Sequence, residues 1–275
     1  MIISLLRLLK LQVYITSMKS ILGLIRVCGV FSVILIGVLS LAILYPFAGR
    51  KVAHRLFIAL RWVLLWVVGV KVSGPRFDSI GPGILMANHR SYLDVLFVPT
   101  SALFTIVGKA EVKSWPLIGW AARALGVLWV KRESKESRTK TREGIIDAVK
   151  SGQTVVLFPE GSSWEGPQML PLKPGMFYES AKHGFNIYQW SLHFDSAKTG
   201  FPIGINFLSH LWAVCREPNI KAYVDVRHVP ISNPDADALI ADAQEWWKNS
   251  LAGLSEAYPA RHCGYWPDDR LTIQV

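Results

Sequence analysis

"LMANHRSYLDV", residues 85–95, decides how the rest of the chain is read. Leu85–Ala87 has the apolar character of a buried strand end, and the chain then passes through an amide, a histidine and an arginine before a carboxylate at Asp94. The loop that leaves a buried strand is where α/β proteins place functional side chains. Residues five apart on a regular helix diverge by about 140°. His89 is therefore expected ahead of a helix, with Asp94 in the first turn reaching back. A neutral imidazole takes a proton near neutral pH, and an adjacent carboxylate fixes its tautomer and stabilises the cation that forms. Ser91-x-x-Asp94 also has the form of a capping box. A purely structural role for both residues thus stands beside the catalytic one at this point.

Outward from that stretch, short apolar runs alternate with longer mixed segments. Residues 83–88, 105–109, 126–132, 154–161, 201–208 and 221–229 read as strands, and 137–152 and 233–254 as amphipathic helices. The alternation predicts an α/β fold: a mixed, mostly parallel central sheet flanked by helices. "SGPRFDSIGPG", residues 73–83, is turn-rich and marks the expected boundary between a helical region, 1–72, and a second domain, 73–275.

Residues 1–72 are expected to associate with a membrane. Val27 to Gly49 contains no charged residue, and such a run is long enough to cross a hydrocarbon core of roughly 30 Å. A second apolar segment, Leu56 to Val70, carries Arg61 and two tryptophans, Trp62 and Trp66, which suit a membrane–water interface. Lys10, Lys19 and Arg26 precede the long run, and Arg50, Lys51 and Arg55 follow it. The positive-inside rule therefore gives no orientation, and a helix pair dipping into one leaflet fits as well as a span. A buried hairpin of a soluble protein is the alternative. The net charge of +10 over 275 residues favours anionic partners, and the apolar terminus selects a membrane over nucleic acid. Cys28, Cys215 and Cys263 are scattered, which suggests neither a disulfide framework nor a zinc site.

Two further stretches bear on chemistry. In "LFPEGSSWEG", residues 157–166, Glu160 stands on a Gly-containing loop past a strand end. There it can hold an acceptor's hydroxyl or ammonium, or orient a neighbouring side chain, or simply face water. Gly161-Ser162-Ser163-Trp164-Glu165 approaches a nucleophile elbow but lacks its final glycine. Lys109, Lys131 and Arg132 lie at predicted strand ends, where cations that share one rim bind phosphate. Lys135, Arg138, Lys140 and Arg142 read as a solvated face. No P-loop, H-E-x-x-H or complete G-x-G-x-x-G is present, and the histidines have no metal-ligand spacing, so no metal and no cofactor is expected.

Taken together the motifs resemble the glycerolipid acyltransferase family, whose best-known members acylate lysophosphatidic acid. N-H-x-x-x-x-D stands as Asn88 to Asp94, K-A-E…P…G as Lys109 to Gly119, and the arginine-ended strand as "GVLWVKR". F-P-E-G is Phe158 to Gly161, the lysine–glycine segment is "LKPGMF", residues 172–177, and the proline motif is "FPIGI", residues 201–205. The resemblance implies transfer of a fatty acyl group from acyl-CoA or acyl carrier protein, a co-substrate thioester, to a lysolipid hydroxyl. It names 1-acylglycerol-3-phosphate first as acceptor, giving phosphatidic acid. His89 and Asp94 would be catalytic, Lys109, Arg132, Glu160 and Gly161 would bind the acceptor, and the domain would face the cytoplasm. Where many lysophosphatidate enzymes continue F-P-E-G with Thr-Arg-Ser, this chain has Ser162-Ser163-Trp164. The missing arginine opens another acceptor, such as lyso-ornithine lipid. From other classes, a membrane-anchored lipid hydrolase and a non-catalytic binder of anionic membranes are the rivals. Direct transfer in a ternary complex is expected, with oxyanion donors among the backbone N–H groups after Asn88.

Overall fold

The computed structural model describes residues 2–75, 80–97, 103–164, 166, 169–202, 204–230 and 235–261. Cys263, part of the 73–83 linker, Glu165, Ile203 and the start of the 233–254 segment fall outside these residues.

Among the described residues a seven-stranded sheet forms the centre. Its strands are β1 (Val70–Ser73), β2 (Gly83–Ala87), β3 (Phe104–Lys109), β4 (Leu128–Val130), β5 (Thr154–Leu157), β6 (Ile187–Phe194) and β7 (Ile220–Val229). They lie in the order β1-β7-β6-β2-β5-β3-β4, and every pair is parallel except β6–β7. The mixed, mostly parallel α/β fold is thus the one the sequence implies. The helices are α1 (Ile2–Val68), α2 (Ile118–Leu125), α3 (Lys135–Lys150), α4 (Gly175–His183), α5 (Phe207–Cys215) and α6 (Ala236–Ala257).

Strand side chains alternate between faces, and here both faces are covered. Leu85, Ala87 and Val156 pack with Val30, Leu65, Leu93 and Val214, beneath α1 and α5. Ile84, Met86, Val155 and Leu157 pack with Ile145, Phe177, Ala243 and Trp247, beneath α3, α4 and α6. Double coverage explains why β2 and β5 are continuous apolar runs.

α1 is two helices. The backbone leaves helical geometry at Gly49 (φ 55°, ψ −146°), a conformation glycine adopts readily. The arms return antiparallel: Gly29 lies against Val67, and Gly37 against Leu60. The absence of a Cβ lets them approach closely. The second arm buries Ala53, His54, Arg61, Leu65 and Val68, while Leu35, Leu39, Ile43, Phe47, Trp62 and Trp66 face outward.

Two expectations fail. Residues 201–208 are not a strand. Asn206 caps α5, its Oδ1 accepting from the N–H of Leu208 at 2.9 Å and of Ser209 at 3.3 Å, so the apolar run is a loop feeding a helix. The sheet also begins earlier than the 73–83 linker, because β1 pairs with β7 from Val70 onward.

Candidate active site

β2 and β5 are neighbours, but their connections part. The segment after β2 runs toward the α1 face and on to β3, while that after β5 runs to α4 and β6. In open α/β sheets ligands bind where adjacent connections diverge, beyond the C-terminal strand ends. His89 follows β2 and Glu160 follows β5, both at this point.

Asn88 fixes the first loop. Its side chain continues the ladder past the end of β2: Nδ2 donates to the carbonyl of Leu192 at 2.9 Å, and Oδ1 accepts from the Leu192 N–H at 2.7 Å. The chain then enters a short 3₁₀ helix, Tyr92–Phe97. Asp94 performs both functions that its position allows. Its Oδ2 accepts from the backbone N–H of Arg90 (2.6 Å) and Ser91 (2.8 Å), and lies 2.8 Å from His89 Nδ1. A carboxylate only accepts, so Nδ1 carries the imidazole proton and the Nε2 lone pair is left for a substrate proton. The His89 ring stacks on Phe158 (centroids 4.0 Å apart, 16° between planes), and its side chain keeps 15% exposure against 1% for Asp94.

Glu160 binds the two loops together. Oε1 accepts from the His89 N–H at 2.6 Å and Oε2 from the Leu170 N–H at 2.7 Å, with Arg90 Nη1 3.7 Å from Oε2. Burial pushes its carboxyl upward, against Arg90 and the two N–H donors. Glu160 is 3% exposed. Of the roles its position allows, the structure shows the orienting one: each oxygen accepts a backbone N–H, and Glu160 positions the histidine loop. The N–H groups nearest His89 are likewise engaged. The N–H groups of Asn88, His89, Arg90 and Ser91 donate to Trp190 O, Glu160 Oε1 and, for the last two, Asp94 Oδ2.

A cleft of about 600 Å³ opens beside Phe158. Met86, Val107, Leu157 and Phe177 line its apolar part, with Pro159 and Gly161 at the loop and Arg132, Arg138, Arg142 and Lys173 as its cations. Of the residues the resemblance assigns to the acceptor, Arg132 and Gly161 line this cleft. Gly161 has φ 75°, which favours glycine. Lys109 is not among the lining residues. Its ammonium pairs with Glu111 at 3.4 Å, and its side chain is about half exposed. Arg138 and Arg142 are exposed, as the sequence implies, and they also line the cleft beside Thr141 and Ile145; their i, i+4 spacing places them on one face of α3. Ser163, at the position of the missing arginine, donates to the carbonyl of Phe201 at 2.9 Å. Among the described residues no group of His, Cys, Asp or Glu is placed to hold a metal ion.

This arrangement, a base with its proton fixed by a buried carboxylate at the end of a parallel strand and beside a cation-lined apolar cleft, defines a class of group-transfer site. The family model described as Acyltransferase matches residues 69–191, the segment that holds all of these loops. Relatives include the lyso-ornithine lipid O-acyltransferase of Rhodobacter capsulatus, 33% identical over 42% of this chain and 44% of that protein. The lyso-ornithine lipid O-acyltransferase of Pseudomonas aeruginosa is 27% identical over 68% of this chain and 73% of that protein. The 1-acyl-sn-glycerol-3-phosphate acyltransferase of Neisseria gonorrhoeae is 25% identical over 46% and 50%. The chain spans 44% and 40% of the length of the first two curated relatives it matches. The crystal structure of the 1-acyl-sn-glycerophosphate (LPA) acyltransferase PlsC from Thermotoga maritima has the same fold, with a TM-score of 0.59 at 17% identity over 84% of this chain and 98% of that one.

Proposed function

We propose that the protein is a lysolipid O-acyltransferase, moving a fatty acyl group from a CoA or acyl-carrier-protein thioester to a lysolipid hydroxyl at a membrane surface. The observation that carries this reading is the His89–Asp94 contact, with Nδ1 to Oδ2 at 2.8 Å and Nε2 left as proton acceptor. His89 Nε2 removes the acceptor's hydroxyl proton as the oxygen attacks the thioester carbonyl. The C–O bond forms, the C–S bond breaks, and the imidazolium returns its proton to the departing thiolate. Asp94 holds the ring and offsets its transient charge. Ser163 donates to the carbonyl of Phe201, and direct transfer needs no protein nucleophile.

Lyso-ornithine lipid is the favoured acceptor. The R. capsulatus and P. aeruginosa relatives carry that name, and Ser163 replaces the arginine that many lysophosphatidate enzymes have after F-P-E-G. Lysophosphatidate is the second reading, favoured by four cations on one cleft, Arg132, Arg138, Arg142 and Lys173. The hairpin of α1 is taken to lie in one leaflet. Its second arm packs along the sheet domain instead of projecting from it, and its outer face is apolar. The domain would then face the cytoplasm, where such thioesters are made. Incubation of the full chain in vesicles with labelled acyl-CoA or acyl carrier protein and each lysolipid, with products read by mass, tests this. Diacylated ornithine lipid should form fastest, and release of free fatty acid without acylated product would overturn the reading.

A further inference from the structure

A second cavity, of about 290 Å³, lies between the α1 hairpin and the sheet. It is on the opposite face from the catalytic cleft. Val107 and Val130 line the cleft, whereas Ile106, Gly108 and Trp129 line this cavity, as alternation along β3 and β4 requires. The two cavities share no lining residue. The lining is hydrocarbon from both hairpin arms and from α2, with no Asp or Glu, and one residue breaks the pattern: Arg61. Arg61 is 4% exposed, and its Nε and Nη1 are buried without a hydrogen-bond partner. Its Cζ sits 4.9 Å from the centroid of the Trp62 ring. A ring face attracts the charge but leaves the in-plane N–H donors unused. A guanidinium in an apolar wall is unfavourable unless an anion meets it.

We propose that this cavity binds a long-chain carboxylate taken from the bilayer, its hydrocarbon chain in the apolar space and its carboxylate on Arg61. Charge selects the head group: Arg61 is the one cation of the lining, which matches a monoanion, and a guanidinium fork suits two carboxylate oxygens. Volume selects a single chain, since the cavity is at the lower end for small-molecule sites. Access comes from the hairpin, whose exposed apolar residues, Leu39, Ile43 and Trp66 among them, point away from the domain. The proposal goes beyond acyl transfer and does not rest on it.

The test uses the full chain in vesicles, photolabelled with a diazirine analogue of palmitate, with the labelled residues mapped by mass spectrometry. Label is expected on inward-facing Ile106, Ala122 or Val127. Palmitate should compete for it and methyl palmitate should not. Arg61→Met should weaken competition by palmitate about tenfold, roughly one charge-assisted contact, with vesicle co-sedimentation unchanged. Ala122→Phe, which fills the cavity and keeps Arg61, should abolish inward labelling. Label confined to the outer face, equal competition by acid and ester, or inward labelling retained in Ala122→Phe would each overturn the proposal. Acyl transfer measured on the same samples reports separately on the dyad.

Discussion

At the scale of single residues, the site depends on a carboxylate with more than one task. Asp94 Oδ2 receives two backbone N–H groups and the imidazole together, so the capping role and the orienting role are one geometry. His89→Ala removes the base and leaves the loop bonds intact. We expect transfer to fall by about 10²–10⁴-fold, with vesicle binding and melting behaviour nearly unchanged; retention of full turnover would reject the assigned base. Asp94→Ala should lose as much activity and some stability too, about 0.5–2 kcal/mol for the lost cap. A second histidine is structural. His210 Nε2 lies 2.7 Å from the carbonyl of Gly200, to which it donates, and Nδ1 accepts from Tyr92 Oη at 3.2 Å. Burial pushes the Tyr92 phenol up, so it stays protonated as donor, and pushes His210 down to about 4. An unfolded histidine titrates near 6.5. Above that pH neither state carries the proton, and stability is independent of this group. Between about 6.5 and 4 the unfolded chain takes a proton that the folded chain refuses, so stability declines as pH falls, by at most roughly 1.4 kcal/mol per pH unit. Denaturation midpoints at pH about 7 and 5 should separate for the wild type and separate less for His210→Gln, where half-buried His193, also pushed down, keeps part of the pH dependence. Equal pH dependence in both proteins would remove His210 from the account.

At the scale of elements, legibility followed how local the signal was. The β2 and β5 loops were readable because an apolar run and polar residues just beyond it mark a strand end whatever the rest of the fold does. The 201–208 run misled because Pro202 and the Asn206 cap matter more than its apolar content. β6, "IYQWSLHF", was missed because Gln189, Ser191 and His193 interrupt it, although the strand is almost wholly buried. Two of its polar positions find their partners only once the chain has folded: the Gln189 side chain accepts from Arg227 Nε, and His193 Nε2 lies 2.8 Å from the carbonyl of Tyr258. Glu160 left several roles open for a related reason, since only the neighbouring loop folding over it selects the orienting one. The Asn88 bridge is the element-scale device that keeps the histidine loop on β6. Asn88→Ala would leave the buried N–H and C=O of Leu192 without these partners, each worth about 1–3 kcal/mol when orphaned. The thermal midpoint should drop clearly, and an unchanged midpoint would show that the bridge does not hold the β2–β6 junction.

At the scale of the whole molecule, two polarities are built into one sheet. One face carries the apolar hairpin, whose helix is long and apolar enough to cross a membrane, with only 17% of its most apolar window buried. The other face carries α3, which brings Arg138 and Arg142 to the cleft, and α4, preceded by the loop that brings Lys173. A chain of net charge +10 approaching an anionic bilayer is drawn in by its cations and then held by hydrocarbon. The two contributions differ in their response to salt, because exposed charges are screened over roughly 10 Å at 0.1 M ionic strength whereas apolar burial is not. Vesicle co-sedimentation should therefore weaken with added salt to a plateau and not to zero. Phe47→Glu with Trp66→Glu should lower the plateau, by about tenfold in affinity for each large apolar side chain kept out of the bilayer, while leaving the salt-dependent part in place. Lys51→Gln with Arg55→Gln, exposed cations on the hairpin itself, should do the reverse. Binding that vanishes at high salt in the wild type would mean that the hairpin stays out of the hydrocarbon. A plateau untouched by the Phe47 and Trp66 changes would mean that another surface meets the bilayer.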